Sequence, residues 1–360
     1  MQTEFQRVLK YLYVTNLSSM LKNKLYKIIL VSIVLLAIYG VGALLPMVND
    51  YKKNVSSTSD IFIYPTDSFI DVTNKLSGIL KDTSSFISSY NRHKSLQNFK
   101  PGMYRLKEGM RNKDILRTFA FGWETPCKLT LSGNIRGIEK LCGLLGKKLM
   151  ADSASFSSVL NNPVLIEKYG FNKETFCAMF IPNTYNVYWS ISPDKLVERM
   201  YKEYESFWNK GRDSLAKTLN MSRNDVSILA SIVCEETNYV PEMPKVAGVY
   251  INRLKRGMKL EADPTVKYAM GDFTLKRVLY KHLKTDSPYN TYKYAGLPPG
   301  PITIPSIRGI DAVLNYSKHN YLYFCASQNL DGTHKFAATL QQHNRNAKAY
   351  QAAITRLKIK

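Results

Sequence analysis

The sequence predicts an α+β protein: one N-terminal transmembrane helix, then small βα modules, then a mainly helical domain with a small sheet or hairpin. Three observations carry that prediction. Residues 28–48 (IILVSIVLLAIYGVGALLPMV) form an uncharged apolar run, about the length needed to cross a bilayer as a helix. Residues 61–149 alternate short β-prone stretches with helical ones, and from about Ser153 the pattern turns mainly helical. Near the C-terminus, 321–327 (YLYFCAS) alternates like a strand and turns at Gly332 into 333–339, a hairpin pattern.

A chain of 360 residues suits two or three modules rather than one core. Fifty Lys and Arg against 28 Asp and Glu give a formal net charge of +22, which favours an anionic partner. No zinc-finger spacing, RNA-recognition signature or Gly-rich phosphate loop accompanies the charge. An anionic polymer or a membrane surface accounts for it equally well, and nucleic acid is not expected as a partner.

The first 25 residues carry Arg7, Lys10, Lys22 and Lys24, and Lys27 follows at the edge of the apolar run. The positive-inside rule therefore makes 1–25 a cytoplasmic segment, 26–48 a transmembrane signal anchor and the remainder exported. A cleaved signal peptide would have a shorter apolar region ending at small residues. A buried soluble helix would show a polar face. The polar, Ser-rich stretch 49–60 reads as a linker from the membrane.

Residues 61–80 read as a strand, a turn around Pro65–Asp67, and a helix with Val72, Leu76 and Ile79 on one face. Lys-Leu-Ser-Gly-Ile-Leu (75–80) is echoed by Lys-Leu-Cys-Gly-Leu-Leu (140–145), suggesting an internal strand–helix repeat. Between them, 99–122 reads as strand, Gly turn and helix. Residues 61–150 thus form one region and 151–360 another. In the second, 156–169 and 193–218 are the clearest helices, and 177–189 (CAMFIPNTYNVYW) is a loop or short strand. Cys127, Cys142, Cys177, Cys234 and Cys325 show no CxxC or CxxH spacing, so neither a disulfide framework nor a metal site is expected.

The stretch 227–254 (SILASIVCEETNYVPEMPKVAGVYINRL) carries the chemistry. With Ser227 as a possible N-cap, Leu229, Ile232, Val233 and Glu236 share one helical face at i, i+3, i+4 and i+7, while Glu235 turns about 100° toward the polar side. A carboxyl on an apolar stripe loses hydration, its pKa rises, and it can serve as a general acid. Glu236 is therefore the candidate catalyst and Glu235 a solvated neighbour. Simple capping of the stripe near Pro241 is the plainer alternative. Cys234 has no histidine near it in sequence and reads as packing. Farther on, 287–306 (SPYNTYKYAGLPPGPITIPS) is dense in Tyr, Asn, Thr and Pro, which suits the wall of a saccharide cleft as well as a rigid structural loop.

ILASIVCEETN, KVAGVYINRLKRGMKLEADPTVKYAMG, SPYNTYKYAGLPPGPI, YLYFCAS and the later GTHKF together resemble the endolytic murein transglycosylase (YceG-like) family. So does an anchor followed by a LysM-like region, 61–150, containing KPGMYRLKEGM; 151–360 would then be the catalytic YceG-like domain. The resemblance implies a lytic transglycosylase of the inner membrane with a periplasmic catalytic domain. It would cleave the MurNAc–GlcNAc bond of nascent peptidoglycan and leave 1,6-anhydro-MurNAc ends. It also implies that Glu236, the second glutamate of Cys234-Glu235-Glu236-Thr237, acts as acid and then as base, without metal or organic cofactor. Cys234 stands where the family often has a first glutamate, and Asn183 where it usually has aspartate. Asn252, Asp263, Thr265, Tyr289, Asn290 and Thr291 are the candidates for holding the substrate. The implied partners are glycan strands, the inner membrane and cell-wall synthesis proteins. Two rivals remain: a muramidase-type hydrolase using Asp263 or Glu261 beside Glu236, and a non-enzymatic peptidoglycan-binding module.

Overall fold

The computed structural model describes residues 2–133, 135–275 and 277–356. Its contacts divide the chain into two compact units, Met1–Thr125 and Pro126–Lys360. Each is a mixture of helices and two-stranded sheets.

The first unit begins with α1 (Gln2–Tyr51), a helix of 50 residues. Its stretch Lys22–Val41 is long and apolar enough to cross a membrane and is not buried by protein, consistent with a single-pass anchor. The helix continues past the apolar run into the folded unit. Asn49 donates to Ser88 Oγ at 3.2 Å, and Asp50 is buried against Arg92 (3.0 Å) and His93 (2.9 Å). The stretch 49–60 is therefore not a free linker. Asn54 is fully buried, its amide donating to Asn112 Oδ1 and the Asp82 carbonyl, both at 2.7 Å, and Val55 enters the core. Short polar side chains suit a saturated internal network as well as solvent, and composition alone does not separate the two.

The unit continues through β1 (Ser59–Ile63), α2 (Phe69–Leu76), α3 (Thr83–Arg92), β2 (Gly102–Leu106) and α4 (Asn112–Phe121). Strands β1 and β2 are antiparallel, Ser59 facing Leu106 and Ile63 facing Gly102. Ser68 and Asp71 make a capping box on α2, and Asp82 caps α3. Ile61, Ile63, Leu76, Phe86, Tyr104, Ile115 and Phe119 make the core.

The second unit runs β3 (Cys127–Thr130), α5 (Gly137–Lys148), α6 (Ser153–Leu160), α7 (Pro163–Lys168), β4 (Thr184–Val187), α8 (Pro193–Phe207) and α9 (Lys210–Thr218). It continues with α10 (Arg223–Glu236), α11 (Met243–Lys255), α12 (Asp263–Met270), α13 (Ile307–Leu314), β5 (Tyr323–Ala326), β6 (His334–Ala337) and α14 (Leu340–Arg356). Both segments of the sequence echo fold as strand then helix, but their strands pair differently. β3 pairs with β4, Cys127 facing Val187, which ties it into this unit and puts the division well before residue 150. The helical stretches at 156–169 and 193–218 each split in two. Asn162 and Asn209 accept backbone N–H groups of the following turn and start new helices there. The hairpin forms as β5–β6, Tyr323 facing Ala337. Helix α14 follows, with Thr339 Oγ1 accepting the Gln342 N–H at 3.2 Å; no sequence reading anticipated it.

Helices α10, α11 and α13 pack together at the centre, with Leu229, Ile232, Val233, Val246, Tyr250, Ile310 and Val313 in one core. A Cβ added at Gly309 would lie 2.2 Å from Cys234 Sγ, so only glycine permits α13 to sit this close to α10. The later part of the Pro-rich segment packs against α10, while Tyr292 near its start lines a cavity beside Glu236. Residues 300–305 are buried, and Ile302 donates its N–H to Ser231 Oγ at 3.0 Å.

Candidate active site

Helix α10 delivers the principal side chain. It starts at Ser222, which forms a capping box with Asp225; Ser227 lies inside the helix and returns its hydroxyl to the Arg223 carbonyl at 2.9 Å. The cap thus falls five residues earlier than expected, because Asp225 at the third helical position completes the box. The facing of the last turn is unchanged. Glu236 ends the helix on the apolar stripe, and Thr237 leaves it in extended conformation.

Two cavities of about 410 and 550 Å³ meet at Glu236 and share it, Ala326 and His334. The first is lined by α11 and α12 residues, Tyr292, the β5–β6 hairpin, and Leu340 and His343 of α14. The second runs past Thr237–Tyr239 and the hairpin loop toward Tyr350. Tyr250 is buried in α11 and donates its hydroxyl to Glu236 Oε1 at 2.6 Å. Burial pushes the Glu236 carboxyl up to about 7, against the pull of the Tyr250 hydrogen bond; the charge of Asp263 adds to the rise and Lys267 opposes it. Burial, and next the Glu236 charge, raises the Tyr250 hydroxyl well above its ordinary value, so it remains a donor.

Its neighbour Glu235 behaves differently. Instead of standing free in solvent, it receives Arg136 Nη2 on both oxygens, at 2.8 and 2.7 Å. That guanidinium also lies 4.7 Å from the Phe273 ring centre. Cys234 Sγ sits 3.3 Å from Ser306 Oγ in the α10–α13 seam, and burial raises its thiol.

The six proposed substrate contacts separate into two groups. Asp263 is exposed at the cleft, where Tyr292 donates to its Oδ1 at 2.7 Å. The others lie away from the cavity lining. Thr265 and Thr291 are buried and hydroxyl-bonded to each other at 2.8 Å; Asn290 is buried and donates to the Leu283 and Thr285 carbonyls. Asn252 donates to the His319 and Tyr321 carbonyls, and Tyr289 packs its ring 4.7 Å from that of Tyr268. These groups fix the loops that carry Asp263, Tyr292 and β5. Arg253 does the same from below: buried, it donates to the Leu322, Lys259 and Leu260 carbonyls and to Glu261 Oε2.

A model of the YceG-like family matches residues 61–349. The chain belongs to the YceG-like family. It is 30% identical over 332 residues to an endolytic murein transglycosylase of Bacillus subtilis, covering 87% of this chain and 89% of that protein. It is 27% identical to an endolytic murein transglycosylase of Streptococcus pneumoniae, covering 86% of this chain and 60% of that one. A crystal structure of a YceG-like protein from Listeria monocytogenes matches with TM-score 0.53 and 28% identity, over 80% of this chain and 98% of that chain.

In this YceG-like protein the cleft also holds residues that sequence reading left in the core or passed over. Tyr250 reads as an apolar-face residue, and only the structure shows its hydroxyl turned to Glu236. His334, His343 and Tyr292 reach the cleft from separate elements, and Glu242 stands behind His334, holding its ring and backbone N–H.

Proposed function

We propose that this protein is a peptidoglycan lytic transglycosylase that cleaves the MurNAc–GlcNAc bond and leaves 1,6-anhydro-MurNAc ends. The observation that carries the reading is Glu236, a half-buried carboxyl raised to about 7 at the junction of two cavities, with one neutral donor fixing its orientation. A carboxyl with that pKa is substantially protonated near neutrality and transfers its proton to the glycosidic oxygen. The bond from C1 to that oxygen breaks, the C6 oxygen closes on C1, and the C6 hydroxyl proton restores Glu236. One carboxylate completes the cycle, whereas a hydrolase usually needs two. The names of the relatives support this reaction class.

Asp263 lines the same cavity, and its charge contributes to the rise at Glu236, so it is the group a muramidase-type hydrolase would use. Product mass separates the two reactions: anhydro ends are lighter than reducing ends by one water. Intact glycan strands treated with the purified protein should give anhydro ends, and Glu236→Gln should give none. Reducing ends from the wild type would replace the transglycosylase with a hydrolase. Cleavage surviving in Glu236→Gln would remove Glu236 from the mechanism.

The proposal extends to location. Helix α1 would be the anchor, with residues 1–25 cytoplasmic and the catalytic unit periplasmic, and a reporter fused after Lys360 tests that orientation. The order β1–α2–α3–β2 with antiparallel strands supports a LysM-like, glycan-binding reading of the first unit. Binding of that unit to insoluble glycan tests it. Cell-wall synthesis proteins remain the proposed partners.

A further inference from the structure

Strand β6 opens with a side chain that the single-carboxylate scheme does not use. His334 Nδ1 lies 2.9 Å from Glu242 Oε2, and Glu242 Oε1 accepts the His334 backbone N–H at 3.0 Å. The two side chains are only 14% and 11% exposed. Glu242 comes from the 3-10 turn Val240–Glu242, a few residues beyond the end of the helix that carries Glu236. Phe324 meets the imidazole edge-on, with ring centres 5.3 Å apart. Backbone, ring nitrogen and ring face are thus all held, which fixes both the place and the rotation of the imidazole.

One ring atom is left. Nε2 has no hydrogen-bond partner among the described residues and is not one of the buried unpaired atoms. His334 itself lines both cavities that meet at Glu236. A carboxylate that takes the Nδ1–H leaves the neutral ring with its lone pair on Nε2, ready to accept a proton. A pair serving only to pin β6 would need the backbone contact and no ring facing the cleft.

We propose that His334, oriented by Glu242, accepts the C6 hydroxyl proton of the muramyl ring and passes it to Glu236. The inference rests on the transglycosylase reading and adds a proton relay to its single-carboxylate cycle. Glu236 gives its proton to the glycosidic oxygen as the bond from C1 to that oxygen breaks. The C6 oxygen bonds to C1 while its proton moves to His334 Nε2. The imidazolium, facing the Glu242 carboxylate, then returns the proton to the ionised Glu236, and both groups are restored without a co-reactant.

The test uses the full-length protein in detergent, intact glycan strands, and mass analysis of the ends. His334→Gln should slow turnover ~10²-fold or more and give a measurable share of products one water heavier, as water replaces the unassisted C6 oxygen. Glu242→Gln should shift the products the same way with a smaller loss of rate, roughly 10-fold. The double variant should be no slower than His334→Gln, because the two residues act as a unit. Wild-type turnover in His334→Gln overturns the proposal. So does slow turnover with wholly anhydro products, since structural support alone would not redirect the nucleophile. If thermal unfolding shows that His334→Gln does not fold, the product ratio of Glu242→Gln decides by the same criterion. Reducing ends from the wild type would instead take down the transglycosylase reading, and this proposal with it.

Discussion

Two carboxyls at helix ends, one in each unit, are withdrawn from water and respond in opposite directions. Asp50, at the end of α1, is 3% exposed; burial pushes its pKa up, but His93, Ser89 and Arg92 outweigh burial and leave it below the ordinary aspartate value. Glu236, at the end of α10, meets a neutral tyrosine hydroxyl and, among the described residues, no ion-pair partner, so burial prevails and its carboxyl rises to about 7. Burial alone therefore does not make a catalytic acid. A buried carboxyl paired with a guanidinium is a strut, and one left with a single neutral donor is a reagent.

The largest expected effect comes from removing the reagent. Glu236→Gln should lower glycan cleavage by ~10²–10⁴-fold, measured by release of soluble fragments, while the protein stays folded. Stability should move the other way. A folded-state pKa raised from 4.5 to about 7 means that Glu236's contribution is fully present below pH 4.5 and is lost as pH rises through 7. Glu236→Gln should therefore be more stable than wild type above pH 7, by about 1–3 kcal/mol, and the gap should close in acid. Equal unfolding curves at pH 8 would show that the carboxyl is not desolvated in the folded protein.

Breaking the strut should cost stability rather than chemistry. Arg92→Ala removes the permanent positive charge beside Asp50 and should destabilise the first unit by about 2 kcal/mol, read from denaturant unfolding. Because the Asp50 pKa is lowered, the lost contribution is the one present above the ordinary aspartate value, 3.8. Wild type and variant should thus converge as pH falls below that value, the reverse of the Glu236 case.

The smaller effects concern pH and orientation. Cleavage needs protonated Glu236, so wild-type activity should decline as pH rises past about 7. Tyr250→Phe removes the hydrogen bond that lowers the Glu236 pKa, so this decline should move to higher pH, with turnover reduced about 10-fold through lost orientation. An unshifted profile would mean that the Tyr250 hydroxyl does not tune the acid.

The comparison also shows what a sequence can display. Periodicity along one helix placed Glu236 on the apolar face of α10, because i, i+3, i+4 and i+7 spacing is local information. The same reasoning found the β5–β6 hairpin and the turn at Gly332, where φ is 76°. It could not show that β3 reaches across to β4, nor that Glu235 meets Arg136, 99 residues away. Polar residues near the motif look like substrate contacts in the sequence, and in the structure Thr265, Asn290 and Thr291 are buried in hydrogen bonds that hold the loops in place. An Asn or Thr that anchors a loop and one that binds a sugar look alike until its partners are known. Asn54 and Asn112 illustrate the same point in the first unit.

Helix α1 has a mechanical consequence. It runs unbroken from Gln2 to Tyr51, and its last residues are locked to α3 and α4. With the apolar stretch in a bilayer, the helix would carry on without a break into the residues locked to α3 and α4. The first unit would then ride on a stiff post instead of a slack leash. Its height above the lipid would then be set in steps of one residue, so insertions or deletions at the end of α1 should act as a ruler on how far the first unit reaches.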